Sequence, residues 1–113
     1  MNYCQDGFLA YFGWETLGYV PYAPLYGHYE IQSNVVNGRP YFKMGSYGMW
    51  WDGFNNWYMG FDSTKGQSIG FAYCNEDVFC PNQLTIDADT SKCYLLTSTG
   101  WMWAYKDLLI SCK

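Results

Sequence analysis

The stretch Val36–Asp62, VNGRPYFKMGSYGMWWDGFNNWYMGFD, combines five glycines with clusters of aromatic residues. Asn37-Gly38 is the dipeptide that fits a type I′ hairpin turn, because both central residues of that turn need a positive φ. DGFNN, residues 52–56, is a loop of turn formers between the aromatic segments 49–51 and 57–61, and it predicts a second hairpin. The stretch therefore indicates an antiparallel sheet rich in aromatic side chains.

The predicted strand Trp57–Phe61 has two different faces. Because side chains alternate along a strand, Trp57, Met59 and Phe61 share one face. Tyr58 and Gly60 share the other face. The face with Trp57 is the predicted core face.

Further short strands are predicted on both sides of this hairpin, and no window of a dozen residues has apolar side chains at helical spacing. The predicted segments are Tyr26–Gln32, Arg39–Lys43, Ser68–Cys74, Cys93–Thr97, Trp101–Tyr105 and Leu108–Cys112. Pro40 cannot donate to a ladder, so its strand is an edge or carries the proline at its start. In Ser68–Cys74 the large side chains Ile69, Phe71 and Tyr73 alternate with small ones. We predict an all-β fold, a small disulfide-stabilised antiparallel β-sandwich or barrel of about 6–8 short strands.

The chain of 113 residues suits a single β domain, residues 1–113. Residues 1–26 are predicted to be an extended N-terminal arm that packs on the domain, and the segment with two prolines before Tyr26 could also be an irregular first strand. Aromatic residues make up 22% of the chain and charged residues only 14%. The core is therefore expected to consist mainly of rings.

Neither nucleic acid binding nor membrane insertion is expected from the charge and the apolar pattern of the chain. Ten acids against six scattered bases give a net charge of −4, which offers no electrostatic footprint for nucleic acid. No apolar run approaches the ~20 residues of a membrane span, so no membrane insertion is expected. The polar start MNYCQDG is not a secretory leader, so either a leader has been removed or the protein is cytosolic.

Five cysteines without a CxxC pair favour an oxidising, extracellular location, secreted or surface-exposed. Cys74 and Cys80 are close enough for a short bridge, which would stabilise the fold by about 2–3 kcal/mol. A Cys4–Cys112 bridge would tie the termini together, with a gain of about 4–5 kcal/mol. Cys93 would then be a free or interchain thiol. Cys93 paired with Cys112, with Cys4 left over, is the competing pattern.

The residues that enzymes use are sparse, and we predict no catalysis, no cofactor and no metal. His28 has Glu30 on the same strand face, but no nucleophile elbow or zinc ligand set accompanies them. Asp52 and Asp62 could pair as carboxylates, yet Asp52 is explained as an Asp-Gly turn former. Residues 86–92, IDADTSK, lack the glycine and glutamate of a calcium hand and indicate a solvated turn.

Several short motifs occur in a fixed order: NGRPYF at residues 37–42, WWDG at 50–53, NWYMG at 56–60, CP at 80–81, and a final strand that ends in cysteine. This order resembles a small cysteine-containing extracellular module of aquatic-invertebrate surface proteins, with an NGRPxY, YWDG, WxIG pattern. The resemblance covers Gly27–Cys112. It implies an extracellular, non-catalytic context and no defined activity.

Binding or assembly remains, because so aromatic a chain is not expected to bury every ring. We predict a non-enzymatic extracellular module used in adhesion or assembly, with other copies of itself or an extracellular protein or glycan as partner. The alternative is a carbohydrate-binding, lectin-like module, since rings stack on pyranoses while amides and carboxylates bind hydroxyls. Its predicted ligand-binding residues are Trp50, Asp52, Asn55, Asn56 and Tyr58. The same residues also suit a purely structural role, with the tryptophan in the core and the asparagines in the turn.

Overall fold

The computed structural model describes residues 8–12, 27–84, 92–97, 100–103 and 108–112. These residues form nine strands and two short 3-10 turns. The strands are β1 Phe8–Phe12, β2 Gly27–Val36, β3 Arg39–Met44, β4 Tyr47–Trp51, β5 Trp57–Phe61, β6 Ala72–Cys74, β7 Cys93–Thr97, β8 Gly100–Trp103 and β9 Leu108–Cys112. The 3-10 turns are Asp62–Thr64 and Pro81–Gln83.

The strands form one antiparallel sheet in the order β8-β7-β6-β5-β4-β3-β2-β1-β9. Strands β2 to β8 follow one another as a meander, and β1 lies between β2 and β9. The all-β prediction is confirmed. The ninth strand comes from Phe8–Phe12, in the predicted arm. No pairing of β8 with β9 occurs among the described residues, so closure into a barrel or sandwich stays a prediction.

Both predicted hairpins form. Asn37 and Gly38 have φ values of 52° and 84°, as a type I′ turn requires, and they join β2 to β3. The loop 52–56 joins β4 to β5, and the two strands pair from Tyr47 with Phe61 to Trp51 with Trp57. Strand β3 is internal, and Pro40 stands second in it beside a register shift in β2. The proline is therefore placed at the strand start.

The face of β5 that carries Trp57 belongs to the main core, as predicted. The buried residues of this core cluster are Tyr29, Phe42, Met49, Trp51, Trp57, Met59, Ala72, Cys74, Leu84 and Cys93. Phe61 departs from the prediction because it lies at the strand end and is 46% exposed.

The opposite face is also packed, around Tyr41, Trp50 and Tyr58. A segment that we call the strap, residues 62–70, covers part of this face. Trp50 Nε1 donates a hydrogen bond of 2.8 Å to the carbonyl of Gln67 in the strap. A Cβ atom added to Gly60 would lie 2.8 Å from the Cα atom of Gly70, so strap and sheet are in close contact there. The side chains on this part of the face are buried because the strap covers them.

The predicted strand Ser68–Cys74 is too long, because its first residues belong to the strap. Only Ala72–Cys74 is a strand, and Ile69 is 53% exposed. Phe71 packs against the main core, whereas Tyr73 packs against the opposite cluster. The alternation fails because residues 68–70 pass over the sheet.

The cysteine pairing differs from the prediction. Cys74 on β6 is bonded to Cys93 on β7, and their Cα atoms are 3.9 Å apart. The predicted Cys74–Cys80 bridge is wrong, and so are the free Cys93 and the competing Cys93–Cys112 bridge. The physical reason is the strand register, which places Cys74 opposite Cys93, while Cys80 is a free, buried thiol. The predicted Cys4–Cys112 bridge rests on Cys4, outside the described residues.

The segment after β6 is attached to the core by polar contacts. Arg39 donates to Asp77 Oδ1 and to the carbonyl of Val78, both at 2.6 Å. Its guanidinium lies 3.7 Å from the centre of the Trp51 ring, within the range of a cation–π contact. Trp57 Nε1 also donates to the Val78 carbonyl, at 2.8 Å. These contacts fix the chain between the two bonded cysteines.

Candidate functional site

Three tyrosines form a row across β5, β6 and β7. Tyr58 lies opposite Tyr73, and Tyr73 lies opposite Tyr94. Their rings stack with centroid distances of 5.3 Å and 5.1 Å. Because neighbouring strands are about 4.8 Å apart, side chains at paired positions are expected to touch in this way.

A second, polar row lies two residues from the tyrosines, just beyond the ends of the same strands, and is formed by Asn56, Asn75 and Lys92. The backbone N–H of Asn75 donates to the Lys92 carbonyl at 2.9 Å, which continues the β6–β7 ladder. Asn75 Nδ2 donates to Asn56 Oδ1 at 2.8 Å and to the Asn55 carbonyl at 3.1 Å. The two rows make a grid of six side chains on one face of the sheet.

These six residues line an open groove of about 520 Å³. We call it the tyrosine groove, and its lining residues are Asn56, Tyr58, Tyr73, Asn75, Lys92 and Tyr94. Tyr73 and Tyr94 are half-buried, whereas Tyr58 is only 8% exposed. The strap covers the neighbouring part of the same face, around Trp50. The groove begins at Tyr58, which lies opposite Trp50, and continues over Tyr73 to Tyr94.

Asp52 fixes one end of the groove. It is 2% exposed, and its carboxylate accepts hydrogen bonds from the backbone N–H groups of Phe54 and Asn56, from Asn56 Nδ2 and from Ser68 Oγ, at 2.7 to 3.1 Å. Burial by itself would raise the pKa of Asp52, but these hydrogen bonds outweigh it and lower the pKa. A chain of hydrogen bonds thus runs from Ser68 through Asp52 and Asn56 to Asn75.

Two of the groove phenols, Tyr58 and Tyr73, have raised pKa values. Burial raises the pKa of Tyr58, and the nearby charges of Asp52 and Tyr73 raise it further. Burial also raises the pKa of Tyr73, with a further contribution from Tyr94. Both groups are hydroxyls at neutral pH, as ordinary tyrosines are, and can donate and accept hydrogen bonds.

The disulfide lies directly beneath the groove. Cys74 separates Tyr73 from Asn75 in the chain, and Cys93 separates Lys92 from Tyr94. Because side chains alternate, both cysteines point into the main core while their neighbours point to the groove. The bridge therefore fixes the distance between the β6 and β7 sides of the groove.

The five ligand-binding residues predicted from the sequence take different places. Asn56 and Tyr58 line the groove. Trp50 is 0% exposed and packs in the buried cluster on the face opposite the main core. Asp52 is also buried, and it orients the groove residue Asn56 by accepting a hydrogen bond from its amide. Asn55 is exposed, has a φ of 77° in the turn, and accepts a hydrogen bond from Asn75.

Sequence reasoning missed Tyr73, Asn75, Lys92 and Tyr94. The chain does carry a signal for them, since each bonded cysteine stands between one tyrosine and one polar residue, as YCN at residues 73–75 and KCY at 92–94. Only the pairing of Cys74 with Cys93 gives this signal meaning, because it places the two triplets opposite each other.

A separate aromatic patch consists of Tyr47, Phe61 and Phe71. Tyr47 stacks on Phe61 at 5.4 Å, and Phe71 packs edge-on against Phe61 at 4.9 Å. A second open groove borders Phe61 and includes Lys43 and Asp62. This patch lies outside the tyrosine groove.

The remaining candidates add no site. Within the described part of the chain, no three His, Cys, Asp or Glu side chains are grouped as metal ligands, and no helix is long and apolar enough to span a membrane. His28 lies on β2 opposite Leu9, and Glu30 lies opposite Lys43. Residues 85–91, most of the predicted solvated turn, lie outside the described residues. No family model, curated protein or solved structure matches the chain.

Proposed function

We propose that this protein is a non-catalytic extracellular module that attaches to surfaces or matrices by binding carbohydrate chains in the tyrosine groove. The observation that carries the proposal is the grid of phenols, amides and one ammonium group on a single rigid face. An open groove accepts a section of a long chain, which an enclosed pocket would exclude. The disulfide supports an oxidising location for the module.

The lining residues have the chemistry that sugar hydroxyls need. The phenols can donate and accept hydrogen bonds, and the side-chain oxygens of Asn56 and Asn75 can accept them from sugar hydroxyls, because their amide N–H groups already donate within the protein. Because Tyr58, Tyr73 and Tyr94 stack on one another, their ring faces are largely occupied and a ligand meets ring edges and hydroxyls. Recognition would therefore rest on hydrogen bonds more than on stacking.

The groove is also organised before any ligand arrives. Asn56 is oriented by Asp52, and Asn75 is oriented by Asn56 and by the Asn55 carbonyl. Binding then requires little loss of side-chain freedom at these positions, which favours affinity. Among the described residues, the groove lining contains no acid, histidine or thiol, and the carboxylate of Asp52 behind Asn56 accepts four hydrogen bonds. These features support binding without catalysis.

Affinity electrophoresis through gels that contain different polysaccharides tests the proposal. We expect at least one polysaccharide to retard the wild type. Tyr73→Phe removes one hydroxyl, keeps the ring and should weaken that binding about tenfold. Phe54→Ser is the matched control, because Phe54 is 76% exposed and lies outside the groove lining. Equal retardation of wild type, Tyr73→Phe and Tyr73→Ala, all folded, would overturn the assignment of the groove.

Self-association is the second candidate function, and the aromatic patch favours it. Phe61 is 46% exposed although it stacks on Tyr47 and contacts Phe71. Partly exposed aromatic clusters are typical anchors of protein interfaces. Sedimentation over a wide concentration range should show concentration-dependent association that Phe61→Ser reduces. Val35→Ser is the control and should have no effect, because Val35 is 63% exposed and lies outside the patch. A monomer at every concentration contradicts this function. Cys93 is bonded and Cys80 is buried, so neither suits an interchain bridge.

A further inference from the structure

We propose that the tyrosine groove binds anionic polysaccharides, with a carboxylate or sulfate group of the ligand at Lys92 and neutral hydroxyls at the Asn56 end. This inference rests on the proposed carbohydrate binding and names the ligand class of the same groove. Its basis is the distribution of charge among the described residues.

Lys92 differs from the other basic residues that the structure describes. Arg39 pairs with Asp77 at 2.6 Å, and Lys43 and Lys65 share Asp62 at 3.7 and 3.9 Å. Among the described residues, Lys92 has no carboxylate within ion-pair distance, although acids outnumber bases by ten to six in the whole chain. Lys92 is exposed and belongs to the groove lining. An anionic ligand would supply the missing partner.

The position of Lys92 is well defined. Its carbonyl accepts the Asn75 N–H at 2.9 Å, and the next residue, Cys93, is bonded to Cys74. Tyr94 lies two residues away on the same face of β7, so a phenol and an amide stand beside the ammonium. A carboxylate or sulfate at this place can accept hydrogen bonds from the Lys92 ammonium and the Tyr94 hydroxyl.

The groove also has a direction. The ionised carboxylate of Asp52 lies at the β5 end, behind Asn56, and its charge acts on Tyr58. Lys92 lies at the β7 end, two strand spacings or about 10 Å away. An anionic group of the ligand is thus repelled from the β5 end and attracted to the β7 end. Tyr73 and Tyr94, which are half-buried in the groove lining, carry hydroxyls that can donate hydrogen bonds to an anionic chain.

A matched pair of ligands tests the inference. Polygalacturonate and its fully methyl-esterified form share one backbone and differ in carboxylate charge, and dextran sulfate with dextran provides a second pair for sulfate. We expect the wild type to bind the anionic member of at least one pair about tenfold more tightly than the neutral member. This preference should shrink as ionic strength rises.

Variants of Lys92 separate charge from structure. Lys92→Gln should lose the preference for the anionic member and keep the affinity for the neutral one, whereas Lys92→Arg should retain the preference. Lys43→Gln is the control, because Lys43 is already paired with Asp62 and lies in the other groove. The unfolding midpoint of Lys92→Gln should match that of the wild type, since the side chain is exposed.

The outcomes distinguish the two proposals. Binding to dextran sulfate but not to polygalacturonate would support the anionic site and assign it to sulfate. Equal binding of charged and neutral ligands, unchanged in Lys92→Gln, would overturn the inference and leave carbohydrate binding intact. Failure to bind any polysaccharide would overturn both.

Discussion

Cys74 and Cys93 lie directly opposite each other on β6 and β7, with Cα atoms 3.9 Å apart, and their disulfide lies on the core side of the sheet, beneath the groove that Tyr73 and Tyr94 line. One bond thus serves both stability and site geometry. It joins residues 19 positions apart in the sequence, and it fixes the two strands that carry four of the six groove residues.

Removal of this disulfide should lower both stability and affinity. For a loop of this length the double variant Cys74→Ala/Cys93→Ala should lose about 3 kcal/mol in the free energy of unfolding. Urea unfolding under oxidising conditions measures the loss, and affinity electrophoresis measures the binding. Cys80→Ala is the control, because it removes a buried sulfur without breaking a bridge. A double variant that loses no more stability than Cys80→Ala would contradict the prediction.

Asp52 should make stability depend on pH in the acidic range. Its pKa is lowered in the folded state, so its contribution is present above the unfolded pKa of about 3.9 and is lost as the pH falls through the folded pKa. At neutral pH, Asp52→Asn should lower the free energy of unfolding by about 1–3 kcal/mol. The difference between wild type and variant should shrink toward pH 2.

Urea unfolding at a series of pH values checks this prediction. Asp77→Asn serves as the control, because Asp77 is exposed and pairs only with Arg39 at the surface. A difference between wild type and Asp52→Asn that stays constant from pH 7 to the acid range would show that the charge of Asp52 does not contribute.

Trp50 and Trp57, which are both fully buried, should anchor different segments. Trp50→Phe removes the hydrogen bond to Gln67 and should loosen the strap, whereas Trp57→Phe removes the bond to Val78 and should loosen the segment after β6. Each change should cost about 1–3 kcal/mol. Hydrogen exchange locates the effect: the amides of Lys65 and Gln67 should exchange faster in Trp50→Phe only. Equal acceleration of the strap in both variants would contradict this assignment.

The thiol of Cys80 should be inert in the folded protein. Burial raises its pKa to about 12, and the smaller effect of the Arg39 charge does not reverse this. Because the thiolate is the reactive form, iodoacetamide at pH 8 should modify Cys80 very slowly in buffer and readily in urea. Peptide mass mapping after timed alkylation measures both rates. Rapid alkylation in buffer would mean that the site opens frequently.

Local features of the fold were predictable because they depend on neighbouring residues. Asn37-Gly38 has the positive φ values that its turn needs, and the loop 52–56 separates β4 from β5. The alternation around Trp57 and Met59 identified the main core face. Each of these predictions uses the intrinsic preference of a short segment, which the chain carries wherever that segment lies.

The candidate site was only partly predictable. Asn56 and Tyr58 were identified because they stand in a recognisable hairpin, but Trp50 belongs to the core. The strap covers Trp50 and approaches the sheet closely where Gly60 contacts Gly70. No periodicity in the sequence predicts this contact. The large residues of 68–74 therefore suggested a longer strand than the three residues that form β6.

The sequence by itself determined an all-β chain with two aromatic hairpins, because turn chemistry and alternation act over a few residues. The tertiary structure alone decided which cysteines pair and which rings remain accessible. Strand register brought Cys93 to Cys74 and thereby set Tyr94 beside Tyr73 and Lys92 beside Asn75. Such pairings depend on residues far apart in the chain, whose meeting follows from the packing of the whole sheet.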